Sequence, residues 1–187
     1  MKRIGIIGCN CRENAIGKSL LKKSDIDIYY IGNHNNIGLD KLGCKYEKIN
    51  ISNSYNILNW AQNNNLEFVI IGPENPLENG VVDLLESNSI KCFGPREDAA
   101  KLETNKLFFI NYINKLENDF NISVNPKYYT YNDTLINTLK DNNTKFVIKQ
   151  TGLAGGKGVY VMDDDFYDYE DGLEVCNKLI KNNTDFL

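Results

Sequence analysis

The sequence predicts an α/β fold, a parallel sheet with crossover helices followed by a small βαββα module. Three observations carry this. Short continuous apolar runs, Ile4-Gly-Ile-Ile7 and Phe68-Val-Ile-Ile71, read as strands buried on both faces. Segments of helical spacing alternate with these runs, which is the pattern of βαβ units. After residue 120 the pattern changes, and two β-rich runs flank a loop dense in glycine. The expected domains are therefore residues 1–120 and 121–187, the second with a core too small for an independent enzyme.

Along the chain, residues 3–8 form the first expected strand and 13–23 a helix. Residues 26–31 and 46–51 follow as strands. Spacing through Ile57, Leu58 and Ala61 places a helix over 55–64. Residues 68–71 are a strand ended by Gly72-Pro73, 81–87 a helix, and 91–93 a strand ended by Gly94-Pro95. A long helix is expected over 99–116. In the second unit, 127–131 read as a strand and 133–140 as a helix with Asn132 as its N-cap. The two strands around the glycine loop come next, and then a helix over 169–181. Parallel sheets bind ligands beyond the carboxyl ends of their strands. The loops at Gly8, Gly72 and Gly94 are expected on that edge.

A net charge of −4 and a pI near 5.1 leave no basic footprint for nucleic acid. No apolar run has the length of a membrane span, and no signal peptide is expected before Ile4. The expectation is a cytoplasmic protein without membrane or nucleic-acid partners. The five cysteines are odd in number and scattered, so reduced thiols are a better reading than a disulfide framework or a zinc pattern. His34 sits in the polar stretch Gly32-Asn-His-Asn-Asn-Ile-Gly38 and reads as a loop residue, not a catalytic one. The abundance of asparagine reads as coding bias, because apolar periodicity persists between the clusters.

The segment Phe146-Val-Ile-Lys-Gln-Thr-Gly-Leu-Ala-Gly-Gly-Lys-Gly-Val-Tyr-Val-Met162 carries the most chemistry. Gly152, Gly155, Gly156 and Gly158 let the backbone approach a ligand, and concave N–H arrays bind anions. Lys149 and Lys157 add point charges. A polyphosphate is the simplest ligand. A Walker A loop is excluded, because Thr151 stands at its first glycine, Gly158 stands at its Ser/Thr, and a strand follows instead of a helix. The pattern reads as a β-hairpin flap at 152–158, with an ordinary Gly-rich hairpin turn as the alternative.

Gly8-Cys-Asn-Cys-Arg-Glu-Asn-Ala15 is not a dinucleotide fingerprint, because no second or third glycine follows Gly8 at the G-x-G-x-x-G spacing. A glycine between a strand end and a helix N-terminus still makes an anion site, with Arg12 as a bidentate partner. A tight turn with a surface Arg–Glu pair reads equally well. In Gly72-Pro-Glu-Asn-Pro-Leu-Glu-Asn-Gly80, Pro73 and Pro76 stiffen the loop and Glu74 offers a carboxylate to an amine or ribose hydroxyls. A rigid βα connection is the alternative there. Lys106, in Leu102-Glu-Thr-Asn-Lys106, reads as reaching a nucleotide from the side opposite the flap, or else as part of a solvated helix face.

Together these segments resemble the phosphoribosylamine–glycine ligase family, the glycinamide ribonucleotide synthetases, which are ATP-grasp ligases of purine synthesis. The opening motif G-x-G-G-R-E-H-A is approximated from Gly8 to Ala15, and G-P-E-x-P-L-x-x-G is complete from Gly72 to Gly80. F-G-P is Phe93-Gly-Pro95. A-x-L-E-x-S-K matches Ala100 to Lys106 with Asn105 for Ser. V-I-K-x-D-G-L-A-x-G-K-G-V matches Val147 to Val159 with Thr151 for Asp. The resemblance implies a Rossmann-like pre-ATP-grasp sheet and an ATP-grasp lid. It assigns ATP binding to Lys106, Lys149, Gly152, Leu153, Gly155, Gly156, Lys157 and Gly158. It assigns the sugar substrate to Gly8, Asn10, Arg12, Glu13, Gly72, Pro73, Glu74, Pro76 and Gly80. The expected substrates are ATP, phosphoribosylamine and glycine, with Mg2+ on ligands outside this chain and no metal ligand within it.

Departures from these motifs include Cys11 for glycine, Asn14 for histidine and Thr151 for aspartate. The family enzyme is more than twice as long. No catalytic set is therefore complete here, and the chain alone is expected to be inactive. A second chain supplying the other ATP-grasp half is the partner this leaves open. The alternatives are another ATP-grasp carboxylate–amine ligase and a non-catalytic ligand-binding remnant.

Overall fold

Strand β1 (Lys2–Ile7) buries Ile4, Ile6 and Ile7 at the centre of a parallel sheet. The computed structural model describes residues 1–132 and 134–187. After β1 come α1 (Cys11–Leu20), β2 (Ile26–Gly32), α2 (Ile37–Lys41), β3 (Lys45–Lys48) and α3 (Ser54–Asn63). Then follow β4 (Phe68–Ile71), α4 (Glu74–Glu78), α5 (Val81–Ser87) and β5 (Lys91–Phe93). The strand order is β3-β2-β1-β4-β5, and every pairing is parallel. From β1 the chain steps outward through β2 and β3, then crosses back to place β4 on the other side of β1. The β1/β4 junction is thus the topological switch point, where open α/β sheets form their binding crevice. Ile7 is in register with Ile71 and Ile70 with Phe93, so the loops at Gly8, Gly72 and Gly94 lie at one sheet edge, as expected.

The strand alternation feeds two cores. Ile7, Tyr29, Ile31, Val69 and Ile71 pack with Ile57, Trp60, Val81 and Leu85 of α3 and α5. Ile6, Ile28 and Tyr30 pack on the opposite face with Leu39 of α2 and with Ile16 and Leu20 of α1. Complete burial of side chains such as Ile6, Ile31 and Leu85 stabilises the fold by about 1.5–3 kcal/mol each. This doubly covered parallel sheet is the α/β class that the sequence predicts.

The chain folds as two compact units, Met1–Lys101 and Leu102–Leu187. Helix α6 (Glu97–Thr104) carries it from the first into the second, and α7 (Lys106–Phe120) falls in the second. The second unit continues with α8 (Leu135–Asp141), β6 (Val147–Lys149), β7 (Val159–Val161) and α9 (Tyr169–Lys181). Strands β6 and β7 pair antiparallel, Ile148 opposite Tyr160. The core of this unit is Ile136, Ile148, Phe166, Cys176 and Leu179.

Several expected elements differ. The first helix begins at Cys11, not residue 13, because Glu13 caps its start, and it ends at Leu20, where Leu21 to Lys23 turn away. The third strand stops at Lys48, because the Asn50 side chain takes the Ser52 amide and bends the chain. The helix expected over 99–116 is two helices. Asn105 is extended (φ −131°, ψ 104°) and its side chain caps α7 by accepting from Phe108 N at 2.8 Å. Residues 127–131 form no strand. Their β-favouring tyrosines line an apolar cavity of about 370 Å³, and the second sheet has only β6 and β7 as strands among the described residues. Asn132 is not the N-cap of α8. That position is Thr134, and Asn132 accepts from Thr134 N and Oγ1 in the turn before it. Asp133, where that helix was expected to start, lies outside the described residues.

Candidate functional site

The sheet edge and the glycine hairpin each assemble candidate residues. At the edge, the carboxyl end of β1 turns through Gly8, whose N–H donates to Ile31 O at 2.8 Å, and Gly72 N donates back to Ile7 O at 3.0 Å. Gly8 has φ +113°, a conformation that favours glycine. Between the two glycines lies the side chain of Glu13, only 2% exposed. One of its oxygens, Oε2, accepts from Asn10 N at 2.6 Å. A Cβ on Gly72 would stand 1.9 Å from the other, Oε1, and a Cβ on Gly8 would stand 2.7 Å from Glu13 Cδ. The glycines therefore make room for a carboxylate belonging to the protein itself. Glu13 works from inside the fold, holding the turn that starts α1.

Arg12 bridges the two loops. Its Nη1 donates to Gly72 O, and Nη1 and Nη2 both lie 3.1 Å from Glu74 Oε1. The surface pair that the sequence left open is therefore Arg12 with Glu74, and Glu13 takes no part in it. Both partners are substantially exposed to solvent, at 58% and 42%, so the pair fixes geometry and contributes little stability. An anion would exchange with Glu74 for the guanidinium. Pro73 precedes α4, Pro76 is buried within it, and Gly80 (φ +67°) starts α5. Asn10 is exposed at the start of α1, beside Cys11. His34 is an exposed loop residue with Nδ1 3.4 Å from Cys9 Sγ. Burial pushes the half-buried Cys92 thiol up to about 12 and the buried Cys176 thiol up to about 11, which leaves both unreactive.

Sequence reasoning missed Asn36 at this edge. Its side chain donates to Cys9 O at 2.9 Å and Asn10 O at 3.0 Å and accepts from Leu39 N at 3.0 Å. The available signal was an Asn immediately ahead of Ile-Gly-Leu, an N-cap pattern hidden by a helix only five residues long.

In the second unit the glycine loop is the hairpin that the sequence predicts. Gln150 N donates to Gly158 O at 2.7 Å, extending the pairing of β6 and β7, and Lys157 N closes the tip on Ala154 O at 3.0 Å. Gly155 (φ +57°) and Gly156 (φ +79°) both occupy left-handed conformations, which makes the tip a type I′ turn. Nothing lies within 4 Å of a Cβ built at Gly152, Gly155 or Gly156. Gly158 differs: a Cβ there would meet Ala154 Cβ at 2.4 Å, so this glycine serves the packing of the hairpin. Leu153, Lys149 and Lys157 are exposed, and among the described residues neither lysine ammonium has a hydrogen-bond or ion-pair partner.

Lys106 corrects an expectation. It is not opposite the flap but tied to its base, with its N–H donating to Thr151 O at 2.8 Å and Nζ to Gly152 O at 3.2 Å. The break at Asn105 causes this, because it frees the first N–H groups of α7 from helical bonding. Thr151, at the family's aspartate position, is 8% exposed and donates through N and Oγ1 to Asp185 O. Among the described residues no group of three or more His, Cys, Asp or Glu could hold a metal ion, and no helix is long and apolar enough to cross a membrane.

The family model for the phosphoribosylglycinamide synthetase N domain matches residues 2–103. The chain is 36% identical to a phosphoribosylamine–glycine ligase of Methanosphaera stadtmanae over 95% of its length and 40% of that protein's. It is 32% identical to the ligase of Methanobrevibacter smithii over 96% of its length and 40% of that protein's. The chain thus spans about two-fifths of the curated relatives it matches. Among solved structures, it resembles Staphylococcus aureus N5-carboxyaminoimidazole synthetase complexed with ADP. The TM-score is 0.72 at 16% identity, covering 99% of this chain and 46% of that one. Over the part that it covers, the chain shares the fold of these ATP-grasp ligases.

Proposed function

Because this chain belongs to the phosphoribosylglycinamide synthetase N-domain family, we propose that it supplies the sugar-phosphate loops and the nucleotide flap of an ATP-dependent phosphoribosylamine–glycine ligase. Residues 1–120 act as the pre-ATP-grasp domain and 121–187 as the lid. The observation that carries the reading is the meeting of the β1 and β4 loops at the switch point, where Arg12 spans from one loop to Gly72 and Glu74 of the other.

In this reading the N–H groups at the start of α1 and the Arg12 guanidinium take the sugar phosphate, and Glu74 turns to the ribose hydroxyls or the amine. The open hairpin at Gly152, Gly155 and Gly156 fits a polyphosphate, since nothing crowds its backbone and two ammonium groups stand free beside it. Lys149, Lys157 and Lys106, with the flap N–H groups, neutralise phosphate charge, which is the main work in phosphoryl transfer. A glycine carboxylate oxygen takes the terminal phosphoryl group as ADP leaves. The sugar amine then attacks the acyl carbon and expels phosphate. Mg2+ and the rest of the ATP site belong to residues outside these, whether in one polypeptide or a second chain. The location is cytoplasmic, in keeping with purine synthesis and reduced thiols.

Titration with ribose 5-phosphate, read by amide chemical shifts, tests the substrate loops. Shifts at Gly8 to Arg12 and Gly72 to Glu74 are expected; shifts confined to residues 99–116 would count against the reading. ATP should shift the flap amides instead, with weaker binding in Lys149→Ala and Lys157→Ala.

A further inference from the structure

We infer that Asn36 is a positioning residue that sets the conformation of the Gly8–Arg12 loop from across the sheet edge. An asparagine side chain has two N–H donors and a carbonyl oxygen with two lone pairs. Asn36 uses all four. Nδ2 donates to Cys9 O at 2.9 Å and to Asn10 O at 3.0 Å. Oδ1 accepts from Leu39 N at 3.0 Å and from Asn14 Nδ2 at 3.1 Å. One side chain thus joins the carbonyl side of the loop, the first turn of α1 and the start of α2. With Cys9 O and Asn10 O held on Asn36, the N–H groups that follow them at the start of α1 have a fixed direction.

Asn36 is itself held. Its N–H donates to the hydroxyl of Tyr30 at 3.1 Å, and that hydroxyl donates to Asp40 Oδ1 at 2.6 Å. Tyr30 is fully buried, so this anchor belongs to the core of the sheet. Gly38 leaves the space that the arrangement needs, because a Cβ there would stand 1.5 Å from Asn14 Nδ2. Asn14 also acquires a role. It stands where the resembled motif has histidine, and it supplies an N–H donor to Asn36 Oδ1.

The consequence for substrate rests on the proposed sugar-phosphate reading, whereas the loop's conformation does not, so two measurements separate them. Asn36→Asp keeps a good cap for α2 but loses both donors to the loop and sets a carboxylate against two carbonyls. Asn36→Ser also caps, adds no charge and is too short to reach. In the free protein, with both variants folded, amide exchange at Asn10 and Asn14, whose N–H groups bond Glu13 Oε2 and Asn10 O, should accelerate about tenfold in either variant from the loss of two hydrogen bonds. Exchange equal to the wild type in both variants would show that Asn36 only caps α2, and would overturn the inference. Ribose 5-phosphate is the second probe. Binding weakened about tenfold in variants that remain folded places the loop conformation in substrate recognition. Faster exchange with wild-type affinity for ribose 5-phosphate would overturn the positioning role. Faster exchange together with no binding by the wild type would leave the clip standing and overturn the substrate reading.

Discussion

Gly72 cannot take a methyl group without moving Glu13, whose Oε1 would lie 1.9 Å from it. That oxygen belongs to a buried carboxylate engaged with Asn10 N, so it has little freedom to retreat. Gly72→Ala should therefore destabilise the protein by about 1–3 kcal/mol, as overpacking does, and displace Arg12 from Gly72 O. Urea unfolding checks the first part and the Arg12 Nε resonance the second; a variant as stable as the parent would show that the Glu13 side chain has an alternative place to go. The glycines, Arg12 and Glu74 were legible as candidate residues because turn chemistry and charge are local features of sequence. The partnership was not legible. Arg12 and Glu74 are 62 residues apart, and only the β1/β4 pairing joins them. Glu13 read as a surface or ligand-facing carboxylate for the same reason, since its burial depends on two glycines in the loops that follow different strands.

At the scale of elements, the four-residue strand β4 and the helices α5 and α9 were readable to the residue, because their apolar spacing and their stops agree. Helices of five residues, α2 and α4, left no periodicity to read. The split between α6 and α7 was hidden because Asn105 is polar on either account. Its role as a cap explains why a residue standing for serine suits the position, both types being good N-caps. The flap was predicted as strand, glycine loop, strand, and it is one, but the division of labour among its glycines needed the backbone. Gly155 and Gly156 supply positive φ at the two central positions of the turn, and Gly158 supplies space. Asparagine tolerates the first central position of a type I′ turn, whereas a β-branched residue strains the second. Gly155→Asn should keep the hairpin. Gly156→Val should destabilise it by roughly 1–2 kcal/mol and lose the Lys157 N to Ala154 O bond. Amide exchange at Lys157 and Gln150 reads the difference. Equal protection in the two variants would mean that the tip is not held as this turn.

Over the whole molecule, the proposal divides one reaction between two compact units, a sheet edge that takes a sugar phosphate and a hairpin that covers a polyphosphate. Neither set of residues makes a bond by itself. Aligning a carboxylate, a phosphoryl group and an amine supplies most of the rate, and each group needs its own fixed donors. The chain covers about two-fifths of its relatives' length, so the test that uses its residues fairly is a chimera. Residues 1–187 would replace the matching stretch of the Methanosphaera stadtmanae ligase. If Asn14 and Thr151 are accommodated as their contacts indicate, and the exposed Cys11 does not intrude, the chimera should release ADP only with both glycine and phosphoribosylamine present. Lys149→Ala within it should lower kcat by about 10²-fold or more, as loss of one preorganised electrostatic contact does. Arg12→Gln should instead raise the KM for the sugar substrate with a smaller effect on kcat, because a phosphate remote from the reacting atoms is held alike in ground and transition states. A chimera that folds and binds ribose 5-phosphate but never turns over would place the fault in the flap. Turnover indifferent to Lys149→Ala would remove the flap lysine from the chemistry and return the hairpin to an ordinary turn.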